Sequence, residues 1–304
     1  MNSYKKKESW GLLAVSGGNI IFGFSFLFSK MALDIVEPTV LIAVRFTVAF
    51  LVLNVIVLIG KLIGRERFNF SLKGKPKKQV LLLALCQPVL YFIAESYGIK
   101  LTSSSFAGII IALIPIAGIV TDAVILHSKI TLKHVICAVM SVVGVGFTTV
   151  GASSMDFSFL GLAFLIAAVA VGSLFYVFSK SSGEHYSALE RTYVMFGVGS
   201  AVYIVAALVQ SFGAYGQVLE ALSVPRFWIC IGYLAVVSSV GAFMLLNFGS
   251  NYVSVSKATL MANSTTVISI IAGVVVLHES FGLMQIIGAV VIILSVTIGN
   301  LIKE

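Results

Sequence analysis

Charge is what this sequence is short of. Of its 304 residues only 11% are Asp, Glu, Lys or Arg, against 59% hydrophobic, and the mean hydropathy is +1.07. A soluble domain carries about 25% charged and about 45–50% apolar residues, so a water-soluble globular protein is excluded. Cysteine is scarce as well. Cys86, Cys137 and Cys230 each sit inside an apolar run as small hydrophobes, with neither metal-ligand spacing nor a disulfide framework. The four histidines, His127, His134, His185 and His278, fall at the ends of runs or between them and make no metal or catalytic constellation with Asp or Glu. No metal and no cofactor is expected, and an intramembrane enzyme lacks its chemistry. A channel is a weaker rival still, since there is no ring of repeated charges and no filter-like loop. The net charge of +8 does not signal nucleic-acid binding, because the basic residues lie in short loops between apolar runs.

What the chain does have is long apolar runs. A crossing takes about 20 mostly apolar residues. Ten runs qualify: Gly11–Ala32, Pro38–Gly60, Gln79–Gly98, Ser105–Leu126, Leu132–Val150, Phe159–Ser179, Ala188–Phe212, Phe227–Phe248, Ala258–Leu277 and Gly282–Ile302. They are too long and too unalternating for barrel strands, so they read as helices. The expected fold is an all-α integral membrane protein of ten transmembrane helices. Lys5, Lys6 and Lys7 ahead of the first run give it the charge pattern of a signal peptide, but no convincing cleavage site follows, and it is read as an uncleaved first helix.

Lys and Arg counted loop by loop set the orientation. With a cytoplasmic N-terminus the inner side receives Lys5, Lys6, Lys7, Lys61, Arg65, Arg67, Lys73, Lys75, Lys77, Lys78, Lys129, Lys133, Lys180, Arg191, Lys257 and Lys303. The outer side receives Lys30, Lys100 and Arg226, and Arg45 lies within the second run. Both chain ends are therefore expected in the cytoplasm.

Sliding the sequence on itself by 151 positions aligns Phe92–Val145 with Phe243–Val296 without a gap. Identical pairs include Gly98/Gly249, Ser103/Ser254, Ser105/Ser256, Ala107/Ala258, Leu126/Leu277, His127/His278 and Ala138/Ala289. Each half then holds five spans, and because five is odd the second half enters the membrane upside down. Inverted repeats of this kind place a solute site at the repeat interface near the midplane. The expected division is residues 1–150 and 151–304, with the junction at Gly151–Asp156.

Phe22-Gly23-Phe24-Ser25, Lys30, Pro38, Arg45-Phe46 and Ala49 resemble the opening of the EamA-type branch of the drug/metabolite transporter superfamily. So do Tyr91, Tyr97-Gly98, the run Ser103–Ala107 leading to Leu113 and Pro115, and Gly144; Phe248-Gly249, Ser254–Ala258 and His278-Glu279 repeat the pattern. The resemblance implies a 5+5 inverted-repeat transporter that moves small metabolites across a bacterial plasma membrane, often outward. It also implies that helices one to four of each half surround a central cavity while the fifth packs at the periphery. Three departures stand out: Thr266 replaces Pro115 in the second half, Ser128 stands opposite Glu279, and Phe196 opposite Arg45.

Charges within spans cost about 2.5–3.5 kcal/mol or more at a helix centre and are functional candidates by default. Gln87, Tyr91 and Glu95 are spaced by four and make one helical stripe. Glu95 is the carrier of a coupling proton, a carboxylate paired with Arg45 or Lys30, or one that snorkels outward. Arg45, about 10 Å past Pro38 at 1.5 Å per residue, pairs with an acid such as Glu95 or meets an anionic solute group. Asp122 snorkels, pairs with Lys129 or Lys133, or takes part in coupling. Asn19, Phe22, Phe26 and Lys30 on the first helix and Asn263 and Thr266 on the ninth are candidate cavity residues, or interhelical hydrogen-bonding ones. Pro115 is a candidate hinge. Gly144, Gly146, Gly282, Gly288 and Ser295 read as close-packing surface, with a homodimer seam one use of it. The expected activity is secondary transport of a small amphipathic metabolite such as an amino acid by alternating access, coupled to protons or as a non-coupled facilitator. The expected partners are that solute, the bilayer and protons.

Overall fold

The computed structural model describes residues 2–65, 68, 72, 74–126, 132–151, 158–213, 215–253 and 255–301. Among them run ten helices: α1 (Asn2–Leu33), α2 (Pro38–Leu62), α3 (Lys77–Leu101), α4 (Ser104–Ile111 and Ile114–Leu126), α5 (Leu132–Gly151), α6 (Phe159–Ser182), α7 (Ala188–Gln210), α8 (Pro225–Gly249), α9 (Val255–Val276) and α10 (Leu283–Leu301). A short helix, Tyr215–Leu222, bridges α7 and α8. Six contain apolar stretches of 21 to 27 residues that can cross a bilayer, and the described apolar parts of α4, α5, α9 and α10 are shorter. Pro38 and Pro225 open α2 and α8 in the first turn, where a missing N–H costs nothing. Ser187 and Glu190 close a capping box at α7, with the Ser187 N–H donating to Glu190 at 2.8 Å and the Glu190 N–H donating to Ser187 Oγ at 3.2 Å.

The outside of the bundle is as apolar as its inside. Leu51, Val55 and Leu58 on α2, Val205 and Val209 on α7, and Val290 and Leu294 on α10 are exposed, while Asn19, Ser104, Thr192, Ser238 and Asn247 are buried. A surface of that kind is unsustainable in water and is what a hydrocarbon solvent requires. Lipid offers no hydrophobic drive to pair helices, so polar contacts and close packing do the pairing. The α2–α7 seam shows this along its length. Thr39 donates to Gln210 at one end, Thr47 and Ser200 meet at 3.1 Å in the middle, and Tyr193 Oη donates to Asn54 at 2.9 Å at the other.

The packing is two-fold. α2 packs on α7, α4 on α9 and α5 on α10, each helix against its own repeat equivalent, and α1 packs on α8 and α9 as α6 packs on α3 and α4. Individual contacts repeat as well. A Cβ on Gly249 would strike Val15 and the Gly11 carbonyl, and one on Gly98 would strike Leu165 and approach the Gly161 carbonyl. Two halves of five spans related in this way lie antiparallel across the membrane, as the parity of the duplication required. Gly144 and Gly288, read as close-packing surface, face each other inside the chain, each Cβ position within 3 Å of the other's carbonyl oxygen. They join α5 to α10 away from the centre. Ten crossings put the start of α1 and the end of α10 on one face, here the terminal face, with the α1–α2 and α3–α4 links on the opposite, far face.

Candidate functional site

At mid-length of α1, α3, α4, α6 and α9, beside the last turns of α8, lies a void of about 50 Å³. Its lining pairs equivalents of the two repeats: Glu95 with Leu246, Ile111 with Ala262, and Ile114 with Thr265. The void therefore straddles the pseudo-two-fold axis. Its chemistry is one-sided, since the first half contributes Asn19, Gln87, Tyr91 and Glu95 while the second contributes rings, Leu246 and Thr265. α2 and α7 supply none of the lining. This differs from the four-helix enclosure that the resemblance implies, because these two helices spend their inner faces on each other.

The Gln87–Tyr91–Glu95 stripe faces the void, together with Asn19, Phe22 and Phe26. Tyr91 Oη donates to Glu95 Oε1 at 2.8 Å, and among the described residues no cation lies within 4 Å of the Glu95 carboxylate. Arg45 is not its partner. Its Nε and Nη2 donate to Ser239 and Ser238 Oγ at 2.9 and 3.0 Å on α8, and its guanidinium stacks 4.4 Å from the Phe92 centroid. The Phe92 ring on which Arg45 stacks lines the void, whereas Arg45 itself does not. Lys30 is not its partner either. Its Nζ donates to the Ile99 and Thr102 carbonyls at 3.1 and 2.5 Å, satisfying the last turn of α3 with a cation, as the helix dipole favours.

Both third helices of the repeats lose regular α geometry beside the void. Gln87 has extended backbone (φ −143°, ψ 117°) ahead of Pro88, whose ring disfavours a helical residue before it and which brings no N–H. In α8 the equivalent stretch, Gly232–Ala242, widens to π-helical turns and holds the two serines that receive Arg45. Irregular backbone at membrane depth survives only where protein or a cavity satisfies it. Tyr203 of α7 performs part of that task by donating to the Val89 carbonyl. α4 also breaks, at Ala112–Leu113, so Pro115 stands in the first turn of its second piece.

Thr266 points away from the void and donates to the Gly108 carbonyl at 2.9 Å; its neighbour Thr265 takes the lining position and bonds the Asn19 carbonyl at 2.9 Å. One residue is a turn of about 100° on a helix, which a polar run Asn263–Thr266 leaves undecided. The side chains of Asn263 and Asp122 lie outside the described residues.

Two charged residues that the sequence left among the loop charges or unassigned are structural: Glu279 ties the two halves together, and Arg191 ties helices of the second half to one another. Glu279, after α9, accepts from the Ser104 and Ser105 N–H groups at 2.7 and 2.9 Å and from Ser105 Oγ at 2.5 Å, so it caps α4 of the other half on the far face. Gly273 makes room for it, since a Cβ there would stand 2.3 Å from both Glu279 and Ser105 Oγ. Arg191 is fully buried at the terminal face and donates to the Ser179 and Asn247 carbonyls at 2.5 and 2.6 Å and to Asn251 Oδ1 at 2.9 Å. Beside it Glu190 takes Lys75 of the first half at 2.6 Å. No group of three or more His, Cys, Asp or Glu gathers among the described residues.

The family model described as the EamA-like transporter family matches residues 9–150 and, a second time, residues 159–301. The chain belongs to the EamA-like transporter family. Among its relatives, the uncharacterized transporter YcxC of Bacillus subtilis (strain 168) is 32% identical over 99% of this chain and 96% of that protein. The uncharacterized transporter YetK of the same organism is 24% identical over 95% and 86%, and an uncharacterized transporter of Archaeoglobus fulgidus 22% over 96% and 98%. A solved crystal structure superposes with a TM-score of 0.64 at 20% identity, covering 95% of this chain and 96% of that one, a likeness of fold alone. This EamA-like protein is thus a multi-pass membrane transporter built of two EamA repeats, not an enzyme. The void between the repeats admits only a few waters, whereas a ligand pocket runs to about 300 Å³ or more.

Proposed function

We propose that this EamA-like protein is a proton-coupled secondary transporter that exports a small amphipathic metabolite, such as an amino acid, by alternating access of residues 1–150 against 151–304. The observation that carries the reading is Glu95, a carboxylate at membrane depth on the repeat axis, bonded to Tyr91 and, among the described residues, with no cation within 4 Å. An isolated carboxylate in low dielectric is costly as an anion. A proton or the ammonium group of a solute relieves that cost, and one site that takes either in turn exchanges one for the other. The aromatic rings around it, Phe22, Phe26, Phe175 and Tyr176, suit the apolar part of such a solute. The terminal face, which carries 16 of the 20 Lys and Arg by loop position, is the cytoplasmic one. Glu279 then latches the outer side and Lys75–Glu190 the inner, each joining one half to the other, and a cycle opens one at a time.

The test uses proteoliposomes with an imposed pH gradient and a panel of labelled apolar and aromatic amino acids. The wild type accumulates its solute above equilibration, and Glu95→Gln only equilibrates it. Wild-type accumulation by Glu95→Gln contradicts the role of Glu95. A wild type indifferent to the gradient is a non-coupled facilitator.

A further inference from the structure

Two hollows, each larger than the void between the repeats, lie outside it and run into one another. One, of about 340 Å³, is almost wholly apolar and lies between Ala43, Val44 and Val48 of α2 and Ile204, Ala207 and Leu208 of α7. The other, of about 480 Å³, opens above it at the far face and is bordered by Asp34, Glu37, Lys100 and Gln210. Val40, Ser211 and Val218 line both. Along α2 the order is Glu37, then Val40, then the apolar wall to Val48, a depth of about 12 Å at 1.5 Å per residue. Along α7 it is Gln210 and Ser211, then Leu208, Ala207 and Ile204. Polar groups thus stand at the membrane surface and hydrocarbon beneath them.

The rim repeats that arrangement. The short helix Tyr215–Leu222 turns Tyr215, Val218 and Leu222 inward over the apolar hollow, and Trp228 of α8 closes its side. Tyr215 Oη donates to the Leu208 carbonyl at 3.0 Å and the Trp228 indole to the Leu222 carbonyl at 2.8 Å. Both aromatic residues therefore have their polar ends satisfied at interface level and offer ring faces to whatever enters. A hollow of this kind within the hydrocarbon region does not stay empty in a bilayer.

Charge at the mouth selects the head group. Lys100 pairs with Glu37 at 2.5 Å, both groups partly exposed, and Asp34 stands exposed beside them with no side-chain partner among the described residues. Two carboxylates and one ammonium repel an anionic head. They match one that carries a phosphate for Lys100 and a primary ammonium for Asp34 and Glu37. We propose that this groove is a binding site for one phospholipid with a primary-ammonium head group, its acyl chain between α2 and α7. The site lies on the seam between the halves, so its occupant bears on their relative motion.

Native mass spectrometry of the full-length protein, titrated with phosphatidylethanolamine and phosphatidylglycerol in equal amounts, tests it. The wild type retains one phosphatidylethanolamine in preference to phosphatidylglycerol. Asp34→Asn, an exposed substitution, reduces that preference about two- to fivefold, the worth of one exposed ion pair. Ala207→Phe, which fills the groove, reduces retention of either lipid more than about tenfold by excluding several methylenes. Equal retention of the two lipids by the wild type overturns the proposal, and so does an Ala207→Phe protein that retains lipid like the wild type. Transport is not the readout, so failure here and failure of the solute-site reading are distinguishable.

Discussion

Glu95 and Arg191 show two ways in which a membrane interior holds a charge. Arg191 is surrounded by carbonyls and amide oxygens and donates to the carbonyls near the ends of α6 and α8, so its charge is spent on structure. Glu95 has one tyrosine hydroxyl and a void. The first is a fixed part, and the second is the group to which the proposed exchange of partners is assigned. Arg191→Ala removes donors from buried acceptors and is expected to cost about 2–4 kcal/mol. In detergent the thermal midpoint should fall by about 5–10 °C. Arg191→Lys should restore less than half of that, because an ammonium lacks the planar fork that reaches separate acceptors. An unchanged midpoint for Arg191→Ala would contradict the structural role. In the sequence Arg191 is only one more positive charge at a helix end, and nothing local shows that it turns inward. The Gln87–Tyr91–Glu95 stripe was legible because its spacing alone defines a helix face. The partner of Arg45 was not, because Ser238 and Ser239 lie nearly 200 residues away and carry no charge to draw notice.

Helices here are defined by where they stop. α3 breaks at Gln87–Pro88 and α4 at Ala112–Leu113, both beside the void, and α8 loosens over Gly232–Ala242. Pro115 gave a visible signal for one of these breaks, whereas the loosened turns of α8 contain no proline and left none in the sequence. α4 is stabilised from outside its own repeat, by the Glu279 carboxylate on its first N–H groups. Glu279→Gln retains an acceptor but loses the charge and should weaken this cap by about 1–2 kcal/mol. Amide exchange at Ser104 and Ser105 should then quicken by about tenfold, since about 1.4 kcal/mol is a factor of ten. Unaltered exchange at those two amides would show that Glu279 is not what closes the far face. The first half has Ser128 at the equivalent position, so the device is not repeated with the same chemistry on the terminal face. There Lys75 and Glu190 link the halves instead.

At the scale of the molecule, ten spans and their two-fold order follow from two sequence facts, the apolar runs and the 151-residue offset. Both are long-range patterns that survive local ambiguity, which is why the architecture was readable where the roles of single residues were not. The offset also pointed to the axis between the repeats, where the structure has a void, although the two repeats line it unequally. The first repeat brings the carboxylate, and the second brings Phe175 and Tyr176 with small or aliphatic residues and Thr265. Access to that void is the property on which a transporter and a pore differ. Single cysteines at Ser25 and Thr265, both lining the void, in a background with Cys86, Cys137 and Cys230 replaced by alanine, report it through a membrane-impermeant maleimide. Labelling is measured in vesicles of each orientation under opposite pH gradients. The expected result is that each cysteine is reached from one face at a time and that reversing the gradient changes the face; labelling from both faces at once, or from the same face under either gradient, would contradict alternating access at this site.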